Sequence, residues 1–223
     1  MPPPATPEAG YGVLGPPTGP LGRLACLFGL AYALLGILGA SLLPVGTVDP
    51  EDPAADIARE LADQRGRISA GILLTLLSLF CFMVFLAWLW RWLGDAEGAQ
   101  AWVANVTLVG GILLAGMLLV ITLLSIAATV LDDFGPDPVI ARTLLVLQWQ
   151  AVAVAFVPAA AFVGGTAFVG HQGGVLPKWL NYSGFAIALG LLIPPLAFFP
   201  YLLSSLWTGM LAIMLLQRSR FRL

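Results

Sequence analysis

Charge is missing from this sequence over most of its length. The 223-residue chain carries ten Lys or Arg, twelve Asp or Glu and one His, and none falls within Leu24–Val48, Ile68–Trp90, Gly98–Leu131, Thr143–Gly170 or Trp179–Gln217. An ionised group at the bilayer centre costs at least about 2.5 kcal/mol and is kept there for function, so proton relays and ion-coupled sites leave such groups at depth. The empty runs exclude that class of mechanism. Histidine is scarcer still. His171 stands alone beside Gly173-Gly174, which excludes bis-histidine haem ligation and leaves a zinc site without evident further ligands. Cys26 and Cys81 are the only cysteines, both lie in apolar runs, and no Cys-x-x-Cys occurs; they read as small packing residues without thiol–disulfide chemistry. There is no Walker-type phosphate loop. Ser183, Ser204 and Ser205 have no second histidine or buried carboxylate to serve as a base, so serine hydrolysis within the membrane is not expected. The net charge of −2 gives no footing for a nucleic-acid partner. The sequence thus predicts no catalytic residue and no cofactor, and the protein is not read as an enzyme.

What is present is hydrocarbon. The chain is 59% hydrophobic and 10% charged with a mean hydropathy of +0.93, against about 25% charged residues in ordinary globular chains. A hydrocarbon core about 30 Å thick needs about 20 apolar residues per helix, and each run meets that length. Backbone facing lipid must satisfy its own hydrogen bonds, and the ten-residue alternation of membrane strands is missing, so the runs are expected to be helices. The last run, of about 39 residues at about 1.5 Å rise each, exceeds one crossing. Pro194, Pro195 and Pro200 punctuate it, and an interior proline costs a helix about 3 kcal/mol. Dividing it there gives six spans, near residues 24–44, 68–90, 103–130, 144–170, 179–196 and 199–216. One long kinked helix with a re-entrant piece is the other parse. The expected fold class is all-α, a polytopic membrane helix bundle of six transmembrane helices plus one short amphipathic extracytoplasmic helix.

That short helix is read between the first two spans. Asp49-Pro50 and Asp52-Pro53 are turn signals, with Asp52 placed to cap and Pro53 at the first helical position. Ala54–Gln64 then sets Ile57 and Leu61 on one side and Asp56, Arg59, Glu60 and Asp63 mostly elsewhere, the pattern of a helix lying on a membrane surface. Asp137-Pro138 repeats the cap logic before the fourth span. Residues 1–21, rich in Pro and Gly, read as a disordered tail. Leu24–Pro44 reads as a retained first span rather than a cleaved leader. Residues 22–217 form the membrane domain and 218–223 a basic cytoplasmic tail.

Aromatic and basic residues collect where the runs end. Trp88, Trp90, Arg91 and Trp92, then Lys178 and Trp179, then Arg218, Arg220 and Arg222, read as interfacial anchors, because indoles prefer the headgroup level and long cations snorkel to it. With six spans both termini share a side. Placing that side in the cytoplasm puts six Lys or Arg inside and four outside, as the positive-inside rule favours. Asp49, Asp52, Asp132, Asp133 and Asp137 would then face outward, and could gather into a divalent-cation site if the first and third loops met; the competing reading is helix caps and solvated turns.

Ser78, Thr107, Thr122, Ser125, Gln148, Gln150, Thr166 and Ser204 are the uncharged polar residues at depth, where they can hydrogen-bond between helices. Gly29-x3-Ala33, Gly111-x3-Ala115, Ala161-x3-Gly165 and Gly184-x3-Ala188 are small-x3-small patterns that permit close helix approach.

The stretch His171-Gln172-Gly173-Gly174-Val175-Leu176-Pro177-Lys178-Trp179-Leu180 resembles the Leu-Pro-Arg/Lys-Trp-Leu turn that precedes the fifth span in uncharacterised six-span bacterial membrane proteins of a domain-of-unknown-function family. The acidic first loop, with its Asp-Pro turn and Arg-x-Arg lead into the second span, is similar to that group as well. The resemblance implies six spans and a bacterial plasma membrane, and no activity. The expected role is a structural or accessory membrane protein whose partners are membrane lipids and another membrane protein or a second copy; the alternative is a carrier or binding protein for a neutral or lipidic compound, with Pro158, Pro194 and Pro195 interrupting helices around a cavity.

Overall fold

The computed structural model describes residues 20–44, 51–98, 101–130, 137–193 and 197–218. Seven helices account for nearly all of them: α1 Pro20–Leu42, α2 Ala54–Asp63, α3 Arg65–Glu97, α4 Trp102–Val130, α5 Pro138–Gln172, α6 Lys178–Leu191 and α7 Phe198–Arg218. No strand occurs among the described residues. Five of the helices, α1, α3, α4, α5 and α7, are long and apolar enough to cross a membrane. The chain is a polytopic bundle of membrane helices.

Contacts fix the direction of every neighbour. Gly29 of α1 faces Phe85 of α3, Gly39 faces Thr75, and Leu42 meets Gly71, so the two helices run antiparallel. In the same way Trp90 bonds Asn105 while Leu86 faces Gly111 across α3 and α4. Thr107 lies against Gly165 and Ser125 against Gln148 across α4 and α5. Gly170, Ala167 and Gly164 meet Asn181, Gly184 and Ala188 in turn across α5 and α6. Gly184 faces Trp207 and Gly190 faces Pro200 across α6 and α7. Long helices therefore alternate in direction, and the start of α1 and the end of α7 lie at one end of the bundle. All four small-x3-small patterns place a glycine or alanine on a neighbouring helix in these contacts. Helices in lipid associate through such close packing, because burial from water no longer drives it.

The fifth span, expected near residues 179–196, is shorter than expected. α6 has 14 residues, about 21 Å at about 1.5 Å per residue, against a hydrocarbon core of about 30 Å. Proline explains the stop. The residue before a proline is pushed out of helical geometry, so Ile193 before Pro194 cannot extend α6, which ends at Leu191. Residues 194–196, including Pro194 and Pro195, lie outside the described residues. Pro200 falls in the first turn of α7, where a backbone N–H has no intrahelical partner to lose. Pro158, which the carrier alternative has interrupting a helix, sits inside an unbroken α5.

α2 is the amphipathic helix, and its apolar face is occupied by protein. Ile57, Ala58 and Leu61 are buried against Ile68 of α3 and Ala141 and Leu145 of α5. The helix thus closes the bundle end opposite the start of α1 and the end of α7. Its cap also differs from expectation: Pro53, at ψ 134°, takes the N-cap position, and its carbonyl accepts from the Asp56 and Ile57 amides. The Asp52 side chain stands one residue too early to cap. At α5 the expected geometry holds, with Asp137 Oδ1 accepting from Val139 N at 2.9 Å and Pro138 opening the helix.

Candidate functional site

Among the described residues ten polar side chains are buried, and all are uncharged. Thr107, Thr122, Ser125, Thr166 and Thr208 donate to the carbonyl one turn back in their own helices. Among the described residues, three buried side-chain bonds run between helices. Ser78 Oγ of α3 donates to the Tyr32 carbonyl of α1 at 3.0 Å. Gln148 Nε2 of α5 donates to Ser125 Oγ of α4 at 2.7 Å. Trp207 Nε1 of α7 donates to the Leu180 carbonyl of α6 at 3.0 Å. Next to Tyr32, Ala33 packs against Gly209 of α7, which draws α1, α3 and α7 together at one level. Gln150, one turn-fraction from Gln148, is exposed.

The described cavity is a lateral groove between α4 and α5 of about 340 Å³. Gly110 and Ala161 form its floor, where the backbones approach so closely that a Cβ on Gly110 would lie 2.9 Å from the Phe162 nitrogen. Val109, Leu113 and Val157 form its rims and are more than half exposed. Asn105 supplies the polar end. Its Oδ1 accepts from Trp90 Nε1 at 3.0 Å.

The expected anchors divide. Trp90, Arg91, Lys178 and Trp179 are exposed at the end of the bundle where α1 starts and α7 finishes, and Trp88 is half-buried. Trp92 departs from the anchor reading: it is buried among core residues with its ring stacked on Trp88 at 6.4 Å, because it follows Trp88 by four residues and shares its helix face. The Arg218 side chain, Arg220 and Arg222 lie outside the described residues. So do Asp49, Asp132 and Asp133 of the acidic group. Asp52 and Asp137 are exposed, and no cluster of three potential metal ligands occurs among the described residues. Cys26 and Cys81 are buried free thiols. His171 is exposed beside the rings of Tyr182 and Phe185, at 5.9 and 6.2 Å.

A family model described as a domain of unknown function (DUF4386) matches residues 24–217. The chain belongs to the DUF4386 family. The match begins within α1 and ends within α7, so every described helix and the groove fall inside the DUF4386 segment, wholly or in part. No curated protein and no solved structure matches the chain.

Two features of the DUF4386 bundle escaped the sequence reading. Glu97, at the end of α3, accepts from Val103 N and Ala104 N at 3.0 and 2.8 Å and so caps α4 across the intervening turn. Its signal was a single acid five residues before an apolar run, with no Ser, Thr, Asp or Asn at the usual cap position. Asn105 carries no distinguishing signal within its uncharged run, and its partner Trp90 reads as an interfacial anchor.

Proposed function

We propose that this DUF4386 protein is a non-enzymatic membrane protein, a structural or accessory subunit of the bacterial plasma membrane with both termini in the cytoplasm, working beside another membrane protein or a second copy. The observation that carries the reading is the use of polar groups at depth. Ser78, Gln148 and Trp207 each join two helices, and Thr107, Thr122, Thr166 and Thr208 are closed onto their own backbones. Each interhelical bond in lipid contributes about 0.6–2 kcal/mol, so these groups stabilise one packing. A carrier would need discontinuous helices around a midplane site, whereas α5 continues through Pro158.

Native mass spectrometry of protein extracted from its own membrane in mild detergent tests this. The expected result is a species heavier than one 23.5 kDa chain, as a complex of fixed stoichiometry. A bare monomer at all protein concentrations, stabilised by a neutral solute, would overturn the reading in favour of a carrier.

A further inference from the structure

We propose that the groove between α4 and α5 is a seat for one acyl chain of a bilayer glycerophospholipid, with Asn105 meeting the lipid's ester or phosphate oxygens. The inference does not rest on the accessory role. Its first support is an oriented donor. Trp90 Nε1 donates to Asn105 Oδ1 at 3.0 Å, which fixes the amide so that Nδ2, with two N–H donors, turns away from the indole. Asn105 is also the polar end of the groove. A lipid ester or phosphate has only acceptors to offer, the complement of that amide.

The second support is level and length. Asn105 stands one turn into α4, beside exposed Trp90, Arg91 and Trp102, the residue types that mark a headgroup boundary. From Asn105 the groove runs to Leu113, eight residues or about 12 Å along the helix. One leaflet's hydrocarbon is about 15 Å deep, half of the about 30 Å core. The groove therefore begins polar at the headgroup level and ends apolar near the midplane, as a phospholipid does.

The third support is its shape. Val109, Leu113 and Val157 are 55%, 57% and 64% exposed, so the groove opens sideways into hydrocarbon. Its floor is lowered by Gly110 and Ala161. Gly110 packs so closely that an added Cβ would lie 2.9 Å from the Phe162 nitrogen, and the missing side chain leaves a channel rather than a ridge. By the alternation of the helices, this leaflet is the one at the end where α1 starts and α7 finishes.

The test is a lipid titration of the full chain in mild detergent after delipidation, with palmitoyl-oleoyl phosphatidylglycerol as probe and native mass spectrometry counting adducts. The wild type is expected to fill one site before all others. The double substitution Val109→Trp with Val157→Phe, both at lipid-facing positions, should weaken that first adduct about tenfold. Leu123→Trp, 63% exposed on α4 outside the groove, should leave it unchanged. Asn105→Leu should weaken it about threefold to tenfold, the loss of one or two hydrogen bonds. An unchanged adduct curve in the groove-filled variant, with its thermal midpoint intact, overturns the proposal. A second arm uses the wild type alone: dihexanoyl phosphatidylglycerol, whose chains are too short to fill the groove, should bind at least about tenfold more weakly. Equal binding of the short and long lipids would equally overturn the acyl seat.

Discussion

At the scale of single residues, the decisive groups are those that end helices. Asp52 and Asp137 precede prolines in the same way in the sequence, yet only Asp137 caps, because Pro53 itself takes the extended N-cap conformation. Asp137→Ala should therefore lower stability by about 1 kcal/mol, the usual worth of an N-cap carboxylate, while Asp52→Ala should stay within about 0.5 kcal/mol, as for an ordinary surface change. Thermal unfolding of both variants in one detergent checks the pair, and equal losses would contradict the assigned caps. Glu97 does a larger job with two amides. Glu97→Ala should cost about 1–2 kcal/mol in the same assay. Neighbouring Ala101 sits at φ +35°, in the left-handed region, where an L-residue is held at about 1–2 kcal/mol. Ala101→Gly should raise the unfolding midpoint, since glycine bears no such penalty. None of this strain was legible in the sequence, because a turn's dihedrals follow from the two helices it joins.

At the scale of elements, the helices were legible from the charge-free runs, and their partners were not. Hydropathy marks where a helix meets water through residues such as Arg67 and Lys178, but it has no signal for a helix that stops inside an apolar stretch. Only the prolines gave one, and they fixed the break after α6 without giving its length. The small residues told that helices approach closely, and only the structure pairs them. Gly71 packs where a Cβ would lie 2.9 Å from the Leu42 Cβ and 3.1 Å from the Gly39 carbonyl. Gly116, which reads the same in sequence, has no atom within 4 Å of its missing Cβ. Gly71→Leu should thus force α1 from α3 and cost about 1–3 kcal/mol or more, whereas Gly116→Leu on the lipid face should be neutral or slightly stabilising through helix propensity. Detergent-resistant folding, followed by circular dichroism on heating, separates the two; similar behaviour would refute the α1–α3 contact. Gln148 makes the parallel case for polar packing, and Gln148→Leu should cost about 0.6–2 kcal/mol by leaving Ser125 without its partner across α4 and α5.

At the scale of the whole molecule, the parity of the helices sets the topology. The sequence placed both termini on one side by counting six spans, a count that the 14-residue α6 weakens as a matter of length. The contacts restore the conclusion by another route. α6 and α7 are antiparallel, as Gly184 with Trp207 and Gly190 with Pro200 require, so α7 returns to the end where α6 began whether or not α6 reaches the far headgroups. The four helices α1, α3, α4 and α5 alternate, and the hairpin adds an out-and-back pair. α2 then marks the opposite end of the bundle, with Asp56 59% exposed there. The proposed cytoplasmic termini make this testable with single cysteines in a Cys26→Ala, Cys81→Ala background, which removes both buried thiols. Asp56→Cys should react with a membrane-impermeant maleimide added to intact cells. Asp95→Cys, Lys178→Cys and Gln217→Cys, all at exposed positions, should react only after permeabilisation. If all four reverse, the bundle is correct and the proposed orientation is inverted. If Gln217→Cys alone reacts from outside, α7 does not return beside α6, and the antiparallel hairpin that sets the parity is wrong.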